Sequence, residues 1–592
     1  MKNIIKIICA GFFLTCFVAC ELNEFPKAVA SREFVFGSAS GLELYVNRFY
    51  EFLPSTYDGV FLDDDHTDLF AGRVINDRFI ANQLSPANVS GWTSGSDQYQ
   101  WGRLRHINYF IHYCEQSSVP GKEHYLGIAR FSRAYFYYEM VKRWGDVPWV
   151  DKIIEVDDAD ILYGPRDSRF VVMDKVLEDL DYAIANINIE HDGTRTRISK
   201  NVARAFKSRV CLYEGSLRKY HTSYNMQNTA NAWFQEAVSA ANAVTGYSLR
   251  QGATAYRDMF LQKSPYLDET ILCVALDGDL QLFSSRNRKT ISPTYGNRPA
   301  FTRRFVLTYL NADGTSFTMS NPNWKTTPYV DEIKDRDPRL GQSIRKPDYT
   351  RTAGGVRYLA PPNLEQSITG YQIIKGCYDE QSPYDAESRN ENAHLIFRYA
   401  EVLLNKAEAL VELNGTLTAA EWTETIGALR ARAGITGSTL TTVPTVADTY
   451  MVDFYNGKWT NPVMLEVLRE RAVELVQEGV RADDLIRWRL GELFTETPFN
   501  GMYIPALGVY DFNGDGINEV CFYQGARPDV QATFFMDVSP TTAAGSRTLS
   551  EGASGEIIWY LRDRTWNDKL YLYPVPQSQR LLNPQLGQNP GW

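Results

Sequence analysis

The chain has 592 residues, of which 44% are hydrophobic and 22% are charged, and its formal net charge is -10 at pH 7. This composition excludes a disordered chain, and the length allows two to four domains or one large one. The excess of acidic over basic residues disfavours a nucleic-acid partner, because phosphate backbones are bound by basic patches.

The N-terminus has the anatomy of a secretory signal peptide. Lys2 and Lys6 precede an apolar run over residues 7–18 that is too short to span a bilayer. Small residues directly before Cys20 are what a lipoprotein signal peptidase requires. We therefore expect residues 1–19 to be removed and Cys20 to carry a diacylglyceryl anchor, so that lipid and not a transmembrane helix holds the chain at a membrane. The alternative is an ordinary cleaved signal.

The cysteines that remain beyond Cys20 are five in number, and none forms a Cys-x-x-Cys pair: Cys114, Cys211, Cys273, Cys377 and Cys521. An odd number without that spacing indicates neither a disulfide framework nor a zinc ribbon. We predict that each thiol is a small buried hydrophobic group.

Apolar residues recur at helical spacing in two blocks of the chain. The first block predicts helices at about 40–53, 101–115, 123–144, 169–187, 199–217 and 230–245. The second predicts helices at about 393–413, 423–433, 463–478 and 483–490. From about 250 to 390, clusters of Gly, Pro, Asn, Ser and Thr predict loops, turns and short strands. Residues 495–560 are also expected to be irregular, and the tail after Tyr571 extended.

The most informative helix lies within residues 127–150. Phe131, Tyr135 and Tyr138 recur at helical spacing, and a second apolar stripe runs beside them. This pattern predicts a helix that is packed on two sides. Gly145 and Pro148 should end the helix in a turn. Such a helix belongs inside a helical array.

Paired helices of this length predict a mainly α fold built on a tetratricopeptide-like scaffold. A strict 34-residue period is not visible, so the repeats are degenerate. The two helical blocks would form one array if the middle segment is an excursion from it. The expected architecture is a helical-repeat scaffold with an inserted loop-rich lobe and short strands.

Five segments follow one another along the chain in a distinctive order. The aromatic stretch from Ala129 to Val150 comes first, and the others begin at Asp335 (DRDPRL), Ile396 (IFRYAEVLLNKAEA), Leu468 (LRERAVELVQEGVRADDLIRW) and Leu572 (LYPVP). This series resembles the motifs of the SusD/RagB family, which comprises nutrient-binding lipoproteins of the Bacteroidetes outer membrane. Together the segments cover the mature chain from end to end.

The resemblance implies a SusD-like domain over residues 20–592. Its helical parts would be residues 20–250 and 391–592, and residues 251–390 would form the loop-rich ligand-binding lobe. It also implies a SusC-like TonB-dependent transporter as a partner, a surface-exposed position on the outer membrane, and no active site.

A dense charge cluster occupies the predicted helices around residues 470–489, where Glu474 and Arg471 are typical members. Paired carboxylates beside arginine resemble acid–base machinery. Ion pairing along and between helices explains the spacing better, because neighbouring arginines lower the pKa of a carboxyl group and keep it ionised. We predict a structural role for the cluster.

Ligand recognition is expected in the loops. Glycans are bound by aromatic faces that stack on sugar rings, with polar side chains at the rim. Two loop segments, residues 63–100 and 295–329, combine these residue types, and the family places its ligand site on loops of corresponding order. The predicted stacking residues are Trp92, Trp324 and, more weakly, Tyr295, and the predicted rim residues are Asp65 and Asn323. A tryptophan in a long loop equally often anchors that loop to the scaffold.

The segment D-F-N-G-D-G-I-N-E resembles a calcium-binding loop, with oxygen ligands at Asp511, Asn513 and Asp515 and a further acid at Glu519. The acid expected at the twelfth position is missing, because Phe522 stands there. The same residues also make turns without an ion, so a structural calcium and a plain turn both remain open. No other cofactor is expected.

The resulting hypothesis is a surface lipoprotein that captures an oligosaccharide or polysaccharide and delivers it to a TonB-dependent transporter. The first alternative is a peptide-binding, RagB-like member of the same family. The second is a glycoside hydrolase that uses Asp63, Asp64 or Asp68, although such enzymes need two acids on opposite sides of the scissile bond. The third is a scaffold that binds proteins through its helical groove.

Overall fold

The computed structural model describes residues 31–54, 64, 67–73, 77–81, 83–92, 101–292, 294, 296–495, 499–559 and 563–592. In this part of the chain the longer helices are α1 (Ala39–Asn47), α2 (Trp101–Gln116), α3 (Lys122–Trp144), α4 (Arg169–Asn186), α5 (Lys200–Tyr220), α6 (Ala230–Ala243), α7 (Tyr399–Asn414) and α8 (Pro462–Glu474). Shorter helices include Ala159–Leu162, Arg303–Val306, Pro338–Ser343, Ala428–Ala433, Thr449–Phe454, Arg481–Arg487 and Gln577–Leu582.

The strands are short and form small separate sheets. They are β1 (Phe70–Ala71), β2 (Thr270–Val274), β3 (Ala300–Phe301), β4 (Thr350–Ala353), β5 (Val356–Leu359), β6 (His394–Arg398), β7 (Phe499–Ile504), β8 (Gly508–Tyr510), β9 (Val520–Tyr523), β10 (Phe534–Asp537), β11 (Arg547–Leu549) and β12 (Gly555–Trp559). Antiparallel pairs join β1 to β3, β2 to β6 and β4 to β5. The order β11-β12-β7 is antiparallel, and in the order β10-β9-β8 the β10–β9 pair is parallel.

The long helices form one array, as the mainly α, tetratricopeptide-like prediction required. Each helix from α2 to α8 packs against the next one along the chain. Residues 244–398 lie between α6 and α7, and yet these two helices are in contact. The segment between them is therefore an excursion from the array. Helices approach closely at Gly215, where an added Cβ would lie 2.8 Å from the Phe234 ring.

The aromatic helix α3 lies at the centre of the array, as predicted. The rings of Tyr135 and Tyr138 pack against Phe206 of α5 at centroid distances of 5.1 and 5.5 Å. Gly145 ends α3 with a φ of 71°, and its N–H donates to the carbonyl of Val141. A left-handed turn of this kind favours glycine because it has no Cβ.

The C-terminal tail is fastened to the end of α3. Asn589 donates its side-chain amide to the carbonyls of Trp144 and Tyr573 at 2.9 and 2.7 Å. The N–H of Tyr573 donates to the carbonyl of Arg143 at 2.8 Å. These bonds explain why an irregular tail rich in Asn and Pro is ordered against the scaffold.

Two sequence predictions were wrong about secondary structure. Residues 394–398 form strand β6 and not the start of α7, since they pair with β2. A short apolar run cannot be assigned to helix or strand by periodicity alone. The segment 499–559, predicted to be irregular, contains strands β7 to β12. These strands are only three to six residues long, so each carries a weak sequence signal.

The charge cluster is a buried ion network centred on Glu474. Its carboxylate accepts hydrogen bonds from Arg339 at 2.9 Å and Arg398 at 2.6 Å, and also from Arg432. All four side chains are buried. Burial raises the pKa of Glu474, but Arg432, Arg398 and Arg339 together lower it well below the ordinary value. The carboxylate is therefore held ionised, which confirms the structural interpretation.

The five cysteines described by the structure are buried and free, as predicted. Within the described residues, none of the helices combines the length and the apolar character needed to cross a bilayer.

The substitution Glu474→Gln should destabilise the protein by about 3–5 kcal/mol, because three buried guanidinium groups would then face a neutral amide. Urea denaturation would measure this loss. The pKa of Glu474 is lower in the folded chain than its ordinary value of 4.5. Its stabilising contribution is therefore complete above that pH and is lost as the pH falls below it, so acid should narrow the gap between variant and wild type.

The matched control is Glu178→Gln, which removes the exposed partner of Lys175. Solvent screens this pair, so the control should change the free energy of unfolding by less than about 1 kcal/mol. Equal stability of Glu474→Gln and the wild type would contradict the central role of the network.

Candidate functional site

Trp324 opens a short 3-10 turn, Trp324–Thr326, in the middle segment of the chain. Asn321 stabilises the backbone just before the turn, because its side-chain oxygen accepts the N–H of Asn323 at 2.9 Å. The Trp324 side chain is half-buried. Its ring meets that of Tyr450 edge-on, with centroids 5.3 Å apart and an angle of 78°. An edge contact of this kind fixes the orientation of the indole.

Arg303 holds this turn against the rest of the fold. Its guanidinium donates to the carbonyls of Trp324 and Lys325 at 2.9 and 2.8 Å. It also pairs with the carboxylates of Glu332 and Glu556, each at 2.7 Å. Burial lowers the pKa of Arg303, but Glu332 and then Glu556 raise it above the ordinary value. The guanidinium is permanently charged and joins the turn to strand β12.

The sheet next to this guanidinium contributes further polar and aromatic groups. Tyr503 of β7 lies opposite Glu556 of β12, and its ring centroid is 5.6 Å from the Arg303 guanidinium. Asn500 donates its side-chain amide to Glu556. Tyr503, Asn500 and Glu556 are all half-buried. Glu556 contacts both Asn500 and Arg303, and Arg303 binds the Trp324 turn, so the three residues stand beside that turn.

We call this group the Trp324 surface and define it by Trp324, Lys325, Asn500, Tyr503 and Glu556. Aromatic faces next to amide, carboxylate and ammonium groups are what a neutral polyhydroxylated ligand requires. The sequence prediction missed Asn500, Tyr503 and Glu556. They lie in the segment that was expected to be irregular, where the pairing of β7 with β12 brings them together and Arg303 joins them to the Trp324 turn.

Trp92 does not contribute an exposed stacking face, and this prediction is corrected. Its side chain is only 5% exposed. The ring packs edge-on against Trp144 at 5.2 Å and lies tilted against Trp101 at 5.8 Å. Trp92 thus anchors its loop to the end of α3, the alternative role that the sequence allowed.

The other predicted ligand residues have different outcomes. Asn323 is exposed and directly precedes Trp324, so these two predicted residues lie together. Their role in binding stays a prediction. Asp65 and Tyr295 fall outside the residues that the structure describes, as does the lipidation residue Cys20.

The acids proposed for a hydrolase are structural where the structure describes them. Asp64 is buried and accepts the backbone N–H groups of Gly479 and Arg481 at 2.9 and 3.3 Å. Asp68 is also buried and forms a two-pronged ion pair with Arg481, at 2.9 and 2.6 Å. Both carboxylates bind the start of the helix that follows α8. Asp63 lies outside the described residues.

The predicted calcium loop connects β8 to β9, so strands and not helices flank it. Oxygen atoms of Asp511, Asp515 and Glu519 lie within 4.8 Å of one another. Asp511 accepts the N–H of Gly516 at 2.8 Å, and this bond is the largest cause of a lowered pKa. Burial, followed by the neighbouring acids, raises the pKa of Glu519. The three carboxylates and Asn513 fit a hard cation, and calcium stays a prediction.

Comparison with known proteins identifies the family. The model of the SusD family matches residues 278–592, which is more than half of the chain. The chain belongs to the SusD family. A second model, described as starch-binding associating with outer membrane, matches residues 86–221 of this SusD-family chain.

The sequences of related proteins align with most of this chain. Two SusD-like proteins of Formosa agariphila are 25% and 22% identical to it, over 81% and 82% of this chain and 90% of each relative. A solved SusD-like protein from Bacteroides fragilis is 22% identical and covers 95% of this chain and 99% of its own, with a TM-score of 0.67.

Two further solved structures share the fold. A SusD-like carbohydrate binding protein from Bacteroides fragilis is 20% identical and covers 93% of this chain and 99% of its own, with a TM-score of 0.67. A structure with a xylogluco-oligosaccharide is 16% identical and covers 92% of this chain and 98% of its own, with a TM-score of 0.60. These similarities confirm the predicted SusD-like fold.

If the loop after β8 binds calcium, titration of the metal-free protein should show uptake of one ion with a Kd on the order of 0.1–1 mM, the range of extracellular calcium modules. The melting temperature should rise with calcium, because the ion binds the folded chain. Asp511→Asn should abolish both effects, and Asp537→Asn, at the exposed end of β10 outside the loop, should preserve them. A titration with neither uptake nor a thermal shift would leave the loop as a plain turn.

Proposed function

We propose that this protein binds an oligosaccharide or polysaccharide at the outer membrane and delivers it to a TonB-dependent transporter. The observation that carries the proposal is the Trp324 surface, where a rigidly held indole stands beside polar groups suited to sugar hydroxyls. Family membership supports the same ligand class, as do the similar carbohydrate binding protein and the similar structure with a xylogluco-oligosaccharide.

Capture of this kind needs affinity and no chemistry, so we propose a binding protein and not an enzyme. Glu556, the carboxylate of the Trp324 surface, is paired with Arg303 and accepts a bond from Asn500. Each oxygen of this carboxylate is engaged by one of these donors, so the group joins the turn to the sheet and is not presented as a catalytic acid. Incubation of the protein with candidate polysaccharides should therefore release no new reducing ends.

Delivery requires that the ligand be held and then released. Sugar sites are shallow, and a partner that closes over the site would supply retention that the surface alone lacks. We propose that the transporter plays this part and that Cys20 keeps the mature chain, residues 20–592, at the membrane through its lipid. The match to a family model described as associating with the outer membrane supports this location.

The substitution Trp324→Ala should weaken glycan binding at least about tenfold, which corresponds to roughly 1.4 kcal/mol, because the stacking face is lost. Affinity electrophoresis against plant, host and fungal polysaccharides would identify the ligand and measure the change. Tyr503→Ala should weaken binding in the same direction.

The control for this experiment is Tyr358→Ala, which removes an aromatic ring that is 38% exposed on β5. It should bind like the wild type. Wild-type binding by both Trp324→Ala and Tyr503→Ala would refute the site. Glycan panels without any binding, together with capture of defined extended peptides, would instead favour a RagB-like peptide-binding protein.

The substitution Cys20→Ser should release the protein from the membrane, because the thiol that accepts the diacylglyceryl group is lost. Cell fractionation and metabolic labelling with palmitate would measure this. The wild type should be labelled and sediment with the outer membrane, whereas the variant should be unlabelled. Cys114→Ser, which changes a buried thiol, serves as the control. A labelled Cys20→Ser variant would overturn the proposed anchor.

A further inference from the structure

A separate apolar cavity of about 380 Å³ lies between α2 and the segment that follows α3. Helix α2 contributes Trp101, Leu104, Arg105 and Asn108, which lie on one helix face. The segment contributes residues between Val150 and Leu162 that are mostly apolar. The volume is in the range of ligand pockets, and the cavity is outside the Trp324 surface.

Apolar side chains extend the cavity outward across the surface. Val156 is 96% exposed, Leu162 is 42% exposed and Tyr163 is 55% exposed. The tail helix, Gln577–Leu582, carries Leu581 and Leu582, which are 75% and 70% exposed. Exposed apolar groups gathered in one place mark interaction sites in soluble proteins.

The tail helix and this segment are physically joined. Asn583 donates its side-chain amide to the carbonyl of Gly164 at 2.9 Å, and Arg166 donates to the carbonyl of Leu586 at 2.6 Å. The first of these bonds connects the residues directly next to Leu582 and Tyr163. We call the cavity together with Val156, Leu162, Tyr163, Leu581 and Leu582 the docking surface.

The segment that lines the docking surface is acidic. Residues 151–167 contain six carboxylates, at Asp151, Glu155, Asp157, Asp158, Asp160 and Asp167, and two basic residues, Lys152 and Arg166. Lys152 is already paired with Asp158 at 2.7 Å. Arg105 of α2, which lines the cavity, and Arg580 of the tail helix add positive charge, so that six carboxylates stand against four basic groups. The surface is complementary to an apolar group with basic neighbours.

The charge and the shape of the docking surface distinguish between different kinds of partner. A phospholipid surface presents phosphate groups, which the acidic rim would repel. A second copy of this chain would bring an identical acidic rim into a symmetric contact, and like charges would face one another. A small apolar ligand would fill the cavity and leave the exposed leucines uncovered.

We propose that the docking surface binds a protein segment that inserts an apolar side chain into the cavity and sets lysine or arginine against the acidic rim. This interaction is independent of glycan binding at the Trp324 surface. The apolar contact supplies affinity, and the charge pairs select the partner and orient it.

The test uses two labelled synthetic peptides and the purified mature chain. In the first peptide, a central Leu-Phe pair is flanked on both sides by two lysines, and in the second the lysines are replaced by glutamates. Fluorescence anisotropy should show that the basic peptide binds at least about tenfold more tightly. Binding should weaken as salt is raised from 50 to 300 mM, because the rim charges are exposed and screened.

The double substitution Val156→Ser and Leu162→Ser should reduce binding of the basic peptide about tenfold, because it removes apolar contacts without adding charge. Asp157→Asn with Asp160→Asn should weaken the basic peptide and abolish the preference over the acidic one. Val446→Ser, at a side chain that is 71% exposed outside the docking surface, is the control. All variants should melt like the wild type and bind glycan equally.

Several results would overturn the proposal. Equal binding of both peptides, or binding of neither, would remove the predicted partner chemistry. Binding to phosphatidylethanolamine–phosphatidylglycerol vesicles that the Val156/Leu162 variant loses would assign the surface to a membrane. A concentration-dependent dimer that the same variant loses would assign it to self-association.

Discussion

The buried ion network around Glu474 is the interaction on which the rest of the structure depends. It gathers Arg398 from the end of β6, Arg432 from a short helix after α7, and Arg339 from the middle segment around one carboxylate of α8. A buried charge is costly to leave unpaired, so these elements must meet in one arrangement. The network thereby fixes the loop-rich excursion onto the helical array.

A buried guanidinium also positions the Trp324 surface. Arg303 binds the Trp324 turn in the same way that Arg398 binds α8. Each is a buried guanidinium that donates to a backbone carbonyl and to carboxylates at the same time. Because guanidinium forks are planar and permanently charged, they specify the geometry of irregular backbone as strictly as a ladder of backbone hydrogen bonds would. An aromatic residue can then be presented on a loop without losing its orientation, as recognition requires.

The two tryptophans predicted to bind ligand show where sequence reasoning reaches its limit. Trp92 and Trp324 both lie among Gly, Ser, Asn or Thr residues, and nothing local distinguishes them. Trp92 is buried because the end of α3 presents Trp144 to it, whereas Trp324 meets one edge of Tyr450 and is half-buried. Tyr503 and Glu556 are brought together by β-pairing, and Arg303 joins them to the turn of the second tryptophan. Burial of a loop aromatic depends on partners that are distant in sequence, and local pattern carries no information about them.

The sequence by itself determined the helical array, the two-sided burial of α3, the structural use of the charged cluster and the family. Those features follow from periodicity and local motifs, because the spacing of apolar residues over a few turns shows which face of a helix is buried. Tertiary structure alone decided that residues 394–398 form a strand and that residues 499–559 contain several, which tryptophan is buried, and which charges meet. Short strands and loop contacts are stabilised by partners far along the chain, so their outcome depends on the assembled fold.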